Sequence, residues 1–462
     1  MSAKERVYDL RGFLKELEDE DPSRILRIKE PVGLDFDVTA LAMELERMGR
    51  APVLWFDKVG DSKFPVVTNI FGARANYARA LGVPEDKLIE SWANLGDKRI
   101  PPKLVDNGPI RDVVLTGDKV DLGYLPIMWH FAEDGGRYIT NSVIVAKDPD
   151  TGVRNASFHR MHVKGKTRVG TSLHSRRHLW NYIQRAEEKG ETKVPVIVII
   201  GSHPMFTFGS GLWKGPIDAD EFDVAGGFLG RPIEIVPGVT VPIESPTCAE
   251  IVLEGHILCG VREPEGPFAE FTGYASERST QQVIEFTAIS HRKNAIYQDI
   301  VPGISDEHTS LLAVPQEARL MRSLRNNFPN VTAVAYPKSG CCRFHAYIAM
   351  RNPAVGQAKN ASTVAFAEDL SLKMVVVVDD DVDVTSDQDV LWAISTRFQA
   401  DRDMDVIKNA MGAILDPSNY NGMTDKVIVD ATRPAGGFPR RHTIPPDAIE
   451  RARKILERAE GR

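Results

Sequence analysis

Two carboxylates stand five residues apart in Glu265-Gly-Pro-Phe-Ala-Glu270, inside the longer run Arg262-Glu-Pro-Glu265-Gly-Pro-Phe-Ala-Glu270-Phe-Thr-Gly-Tyr274. Gly266 and Pro267 interrupt regular structure, so the segment reads as a bend closing a strand. A bend on a rigid strand can aim both acids into one cavity. Apolar walls there raise a carboxyl pKa until the group can donate a proton near neutrality. A single glutamate in such a loop is by itself an ordinary surface acid.

Three other constellations compete for the chemistry. His174-Ser-Arg-Arg-His178 has the i, i+4 spacing of a helical zinc pair, but no glutamate follows the first histidine. Val375-Val-Val-Val-Asp-Asp-Asp-Val-Asp383 ends a buried strand in acids. Such acids can hold magnesium for phosphoryl transfer, yet the chain has no G-x-x-x-x-G-K-[ST] loop and no G-x-G-x-x-G after a strand. Solvated strand-end acids, partly capping a helix near Asp387, are the simpler expectation. In Asn155-Ala-Ser-Phe-His-Arg160, strand alternation puts Asn155, Ser157 and His159 on one face and Arg160 on the other.

The elements that must position these residues follow from periodicity. Leu10, Phe13, Leu14 and Leu17 mark one helical face, and short β-type runs at 25–28, 53–56 and 65–68 alternate with helical patterns at 37–48, 74–82 and 84–95. This predicts a small α/β domain. Residues 97–124, rich in Pro, Gly and Asp, read as a connection. From Tyr138 the pattern turns to strands with short turns, at 138–146, 155–163, 196–200, 233–236 and 251–261, with helices at 177–189 and 219–225. Many short strands permit a barrel or sandwich. An apolar-patterned segment, 281–297, leads out. Helices at 315–326, 354–368 and 387–397 and strands at 331–336, 344–350 and 373–378 then predict a second α/β domain. The tail, 446–460, is an amphipathic helix with Ile449, Ala452, Ile455 and Leu456 in its stripe, which docking on a partner subunit would bury.

Composition narrows the class. The chain has 462 residues, 42% hydrophobic and 26% charged, enough for two or three domains with sizeable cores. A net charge of -7 with scattered basic residues argues against nucleic acid or an acidic membrane surface as partner. No apolar run approaches a membrane span, and Met1-Ser-Ala-Lys-Glu-Arg shows no secretory h-region. Cys248, Cys259, Cys341 and Cys342 lack C-x-x-C spacing, which suits a reducing, cytoplasmic setting. The vicinal pair reads as small core residues at a strand start.

The ordered set of Asn155-x-x-x-x-Arg160, His178, Glu221-Phe-Asp-Val-Ala-Gly226, Glu265-Gly-Pro-Phe-Ala-Glu270 with Thr272-Gly-Tyr274, and Val378-Asp-Asp-Asp-Val-Asp383 resembles the UbiD-type family of prenylated-FMN-dependent decarboxylases. The resemblance spans about residues 9–430. It implies an α+β multidomain chain with an N-terminal α/β domain (1–115), a central split β-barrel of the flavin-reductase type (116–310) and a C-terminal α/β oligomerisation domain with a helical tail (311–462).

The same resemblance implies prenylated FMN, its phosphate held through manganese with potassium nearby, and Asn155, His178 and Glu221 as metal ligands. An amide, an imidazole and a carboxylate suit manganese. Phe158, His159, Arg160, Arg177, His178 and Glu221 match cofactor-contacting stretches. By the same likeness Arg160 binds the substrate carboxylate, Glu265 fixes Arg160, and Glu270 donates the proton that replaces carbon dioxide. The implied reaction is reversible, non-oxidative decarboxylation of an aromatic, heteroaromatic or α,β-unsaturated acid by a homo-oligomer, dimer or hexamer, whose cofactor comes from a flavin prenyltransferase. The alternative is a non-catalytic or partner-dependent subunit of a multi-subunit aromatic carboxylase. Ala269 stands where the family commonly has Gly, which is tolerated if its φ is negative. The run 209–215 precedes Glu221; its backbone is a candidate potassium holder, and Trp213 a residue that could narrow the cofactor site.

Overall fold

The computed structural model describes residues 7–173 and 178–459. Its first helix, Leu10–Glu20, begins where Asp9 accepts a hydrogen bond from the Gly12 amide, and it buries Leu10, Phe13, Leu14 and Leu17 as the periodicity requires. Strands Ile25–Ile28, Val53–Phe56 and Val66–Thr68 form a sheet whose fourth member, Tyr297–Gln298, arrives from far along the chain. The N-terminal layer is thereby stitched to the segment that follows the central sheet.

That central sheet has nine strands, all antiparallel, and curls into a half-barrel. Along its path lie Tyr138–Ile139, Met161–Val163, Arg168–Thr171, Ser279–His291, Ile251–Glu265, Lys193–Ile200, Val143–Lys147 and Arg154–Phe158. Register shifts in the long pair Ile251–Glu265 and Ser279–His291 supply local twist for the curl. Both sheet faces are covered: Val143, Val145, Ile197 and Ile199 enter one core, and Ile144, Ala146, Val196 and Val198 the other. Two-sided burial explains why 196–200 is a continuous apolar run with no alternation.

The C-terminal sheet runs in the order Val331–Ala335, His345–Met350, Met374–Asp379, Met423–Ala431, Met404–Met411, with a separate apolar cluster on each face. No described helix is long and apolar enough to cross a membrane.

Several local expectations are corrected. The segment 97–124 is more than a connection, because Val113–Thr116 pairs with Ser279–His291 and Lys103–Leu104 with Glu234–Val236. The helix expected from 315 begins at Asp306, capped by Ser305, and carries Pro315 in its interior. A proline usually marks a helix start, but this helix continues through it, buried on the 311–324 side. Strands Met404–Met411 and Met423–Ala431 add to the elements expected from periodicity. Cys341 and Cys342 lie in a turn with φ of 55° and 53°, not at a strand start. The acids after Met374–Asp379 are not simply solvated: Asp379 and Asp381 bind Arg397, itself 2% exposed, and Ser386, not an acid, caps the next helix. The terminal helix, Pro446–Ala459, buries no residue.

Candidate active site

Strand Arg154–Phe158 ends one residue before His159, and Met161 opens the next strand, so Arg160 sits at the turn between them. Hydrogen bonds join Ser157 to both Asn155 and His159 along one face, while Arg160 turns the other way. Its backbone carbonyl accepts from Thr171 Oγ1 at 3.0 Å. The guanidinium meets Glu265 in a two-point contact, Nε to Oε1 at 3.0 Å and Nη2 to Oε2 at 2.9 Å. Its Nη1 donates to Glu270, and its plane lies 4.8 Å over the Phe268 ring. The three residues that the motif suggested therefore converge, although more than a hundred positions separate Arg160 from the two acids.

Glu265 is the last residue of the long strand and fully buried. Gly266 follows with φ of 89°, where a side chain would be strained, and its Cβ would stand 2.9 Å from the Glu277 carbonyl. Phe268–Ala269 then pairs with Ala275–Ser276 in a small hairpin. The Glu270 amide donates to the Tyr274 carbonyl and the Gly273 amide back to the Glu270 carbonyl. Ala269 lies in this extended strand, outside the left-handed region, so its methyl group is accommodated. Burial raises the Glu270 pKa; Arg160 opposes the rise, while the charges of Glu265 and Asp134 add to it. Burial also disfavours the Arg160 charge, but its Glu265 hydrogen bond and the two acids more than offset this and raise its pKa. A buried acid that holds its proton readily, beside a fixed cation, can deliver that proton to a carbon from which a carboxylate has left.

A second cluster occupies the Asn155 face. His178 opens helix His178–Glu188 and Glu221 opens helix Glu221–Leu229, whose Asp220 cap accepts from Phe222. Asn155 Nδ2 lies 3.0 Å from Glu221 Oε1 and 3.4 Å from His178 Nδ1, and His178 Nδ1 stands 3.7 Å from Glu221 Oε1. Burial raises the Glu221 pKa, offset in part by the His178 and Asn155 hydrogen bonds. Donors about 3 Å apart match the ligand edges around a small divalent ion. A half-turn of the Asn155 amide would point its oxygen inward. Among the described residues no three His, Cys, Asp or Glu side chains form a closed cage. A metal here would therefore need oxygens from outside the protein, as a phosphate could supply.

The remaining expected residues fall nearby or outside view. Phe158 packs against Gly211, where an added Cβ would lie 2.6 Å from its ring. His159 is 8% exposed and bonded to Ser157 Oγ at 2.8 Å. Arg177 and His174 lie outside the described residues. Trp213 donates to the Gly96 carbonyl and stacks on Arg99, facing the N-terminal layer.

Spacing gave no sign of several neighbours. Ser276 accepts from Arg160 at 3.3 Å, and Asp134 binds the Ala269 amide at 2.7 Å. His308 donates from Nδ1 to the Gly303 carbonyl at 2.9 Å; burial brings its pKa down to about 4, and the Arg160 charge adds to that. His308 thus enters the site as a neutral imidazole. The Asp134-Gly-Gly136 turn is the only sequence signal that could have flagged this second layer.

Comparison with known proteins gives the class of the chain that carries this site. Family models describing the N-terminal, Rift-related and C-terminal domains of 3-octaprenyl-4-hydroxybenzoate carboxy-lyase match residues 17–95, 103–305 and 309–431. The anhydromevalonate phosphate decarboxylase of Methanothermobacter thermautotrophicus is 37% identical over 92% of this chain and 97% of its own. The phenolic acid decarboxylase of Bacillus subtilis is 31% identical over 95% of both. The UbiD-class enzyme HmfF from Pelotomaculum thermopropionicum, solved with FMN, superposes with a TM-score of 0.91 at 37% identity, covering 96% of this chain and all of the other. An evolved dimeric form of HmfF with prFMN gives 0.87 at 35% identity, covering 96% and 98%. The protein is a carboxy-lyase. It belongs to the UbiD family.

Proposed function

We propose that this protein removes carbon dioxide, reversibly and without net oxidation, from an aromatic, heteroaromatic or α,β-unsaturated carboxylic acid with the aid of prenylated FMN. The observation that carries the proposal is the two-point Arg160–Glu265 contact with Glu270 on the remaining guanidinium edge. Arg160 is pinned by a fully buried acid, so it can offer the edge that Glu270 occupies to a substrate carboxylate at little conformational cost. An arriving carboxylate takes the place of Glu270 on Nη1. Glu270 then loses the contact that lowers its pKa and is left as a protonated acid facing the reacting carbon. Asn155, His178 and Glu221 would hold manganese against the cofactor phosphate. Phe158, His159, Arg177 and the 209–215 backbone with potassium would complete that end. The prenylated flavin, when bound, supplies the sink for the electron pair that carbon dioxide leaves behind.

The test is reconstitution. Protein co-expressed with a flavin prenyltransferase and loaded with manganese should show bound prenylated FMN by anaerobic absorbance and mass analysis. It should also release carbon dioxide from at least one acid in a panel of phenolic, furoic and acrylic types. Removing the metal with a chelator should release the flavin, since its phosphate would lose its bridge to the protein. Bound flavin with no turnover of any acid would favour a non-catalytic subunit instead.

The assembly follows from the tail. Ile455 and Leu456 are 64% and 60% exposed on a helix with no buried side chain, Ile444 just before it is 67% exposed, and the edge strand Met404–Met411 exposes Met404, Val406 and Met411. A second copy is the partner this surface suits, in a cytoplasm where the free cysteines stay reduced. Light scattering should report a dimer or hexamer, and truncation after residue 443 should shift it toward the monomer. An unchanged mass after truncation would place the contact elsewhere.

A further inference from the structure

The bend that carries the two acids is held from outside by one short segment, Phe131 to Tyr138. Asp134, 4% exposed, accepts from the Ala269 amide at 2.7 Å and from the Phe131 amide at 3.0 Å. The next residue donates its amide to the Pro267 carbonyl at 2.8 Å, and the Tyr138 hydroxyl donates to the same carbonyl at 3.0 Å. Gly135 is pressed so close that a Cβ would lie 2.4 Å from the Gly266 carbonyl oxygen, and the Gly135 carbonyl accepts from His162 Nε2 at 3.1 Å. Three hydrogen bonds and one backbone contact thus land on the four residues between Glu265 and Glu270. The hairpin that starts within them is only two residues per strand, too short to fix its own orientation.

We propose that Asp134 is a positioning residue for decarboxylation, whose carboxylate locks the 266–269 bend so that Glu270 meets Arg160 and the substrate in one geometry. Proton transfer tolerates little displacement of the donor, and a bend with a left-handed glycine has freedom that must be removed elsewhere. Asp134 also acts through charge. The charged or titratable groups facing it are His130 from its own segment, Arg160 from the turn and Glu270 from the hairpin. Those facing Glu270 are Arg160, Glu265 and Asp134, with His308 neutral on the adjacent helix. Burial raises the Asp134 pKa as well, offset in part by its two amide hydrogen bonds; once ionised, its carboxylate opposes the ionisation of Glu270 and helps that acid keep the proton it must give.

This inference rests on the donor role of Glu270, and two variants in the full-length holoenzyme separate the claims. Asp134→Asn should lower kcat by about 100-fold, the scale of a displaced catalytic group. Tyr138→Phe removes the hydroxyl that donates to the Pro267 carbonyl in the same clamp and also neighbours Glu265, and should lower kcat by roughly 5-fold, the scale of one hydrogen bond. The second readout is the infrared carboxyl band of Glu270 in the metal- and flavin-free protein, assigned by subtracting the Glu270→Gln spectrum and followed against pH. In Asp134→Asn the band should vanish at a lower pH than in the wild type, because a neighbouring negative charge is gone. In Tyr138→Phe it should vanish at the wild-type pH. Full kcat in either variant overturns the clamp, and an unmoved Glu270 titration in Asp134→Asn overturns the charge effect. Turnover retained by Glu270→Gln would sink the donor role instead, a result that leaves the infrared shift readable.

Discussion

Glu270→Gln is expected to lower kcat by roughly 10²–10⁴-fold, the range that general acid catalysis contributes, while metal and flavin still bind. Glutamine fills the same volume, and its oxygen can still accept from Arg160, so the guanidinium should stay in place. What is lost is the proton. The residues proposed to hold the metal lie on the opposite face of the 154–160 turn, in contact with each other and not with Glu270. The pH dependence carries the sign of the argument. Burial places the Glu270 pKa above its ordinary value, so the acid is protonated below that raised value and is lost as a donor when pH rises through it. Wild-type kcat should therefore fall on the basic side, and the residual rate of the variant should lack that fall. Steady-state rates across pH, with deuterium incorporation at the vacated carbon as a second readout, decide it. Near-full turnover with normal deuterium incorporation would remove Glu270 from the donor role.

The elements that position this acid were legible to the extent that burial was one-sided or complete. The first helix showed its stripe, and the continuous apolar run at 196–200 marked a strand buried on both faces. Strand Met404–Met411 was not legible because it is an edge strand with little buried surface. Its apolar residues face solvent here, and Asn409 adopts a left-handed conformation at a bulge. Pro315 hid the first turns of helix Asp306–Asn327, and with them His308.

The site divides in the same way. Gly266 and Pro267 announced a bend, and alternation correctly placed Arg160 apart from Asn155, Ser157 and His159. Nothing in local spacing joins Arg160 to acids at 265 and 270, since the strands between them are ordered by the curl of the sheet. Only the resemblance to a family supplied that union. The Asp134-Gly-Gly136 run signals a turn but not what it holds, because the partners of Asp134 are backbone amides, which leave no trace in residue type.

Arg160→Lys should cost both binding and stability, and the two losses have separate causes. A lysine offers one point charge where the guanidinium makes three contacts with two acids. Losing the charge-assisted contact that Nη1 offers the substrate carboxylate is worth about 1.5–3 kcal/mol, which predicts kcat/KM lower by roughly 10–10²-fold, much of it in KM. Glu265 has no exposed surface, so it would keep one weaker partner in place of a matched fork. Breaking a buried pair costs about 3–5 kcal/mol when one charge is stranded, and the retained ammonium should hold the loss below the lower end of that range. The variant should therefore unfold at lower denaturant, whereas Glu270→Gln should not. An Arg160→Lys protein with unchanged KM would show that the substrate carboxylate binds elsewhere. Unchanged stability would show that the Arg160–Glu265 pair does not anchor the site. If both losses appear, the pair that orders the resting site is the pair that receives the substrate, and Glu265 serves catalysis by never letting the arginine move.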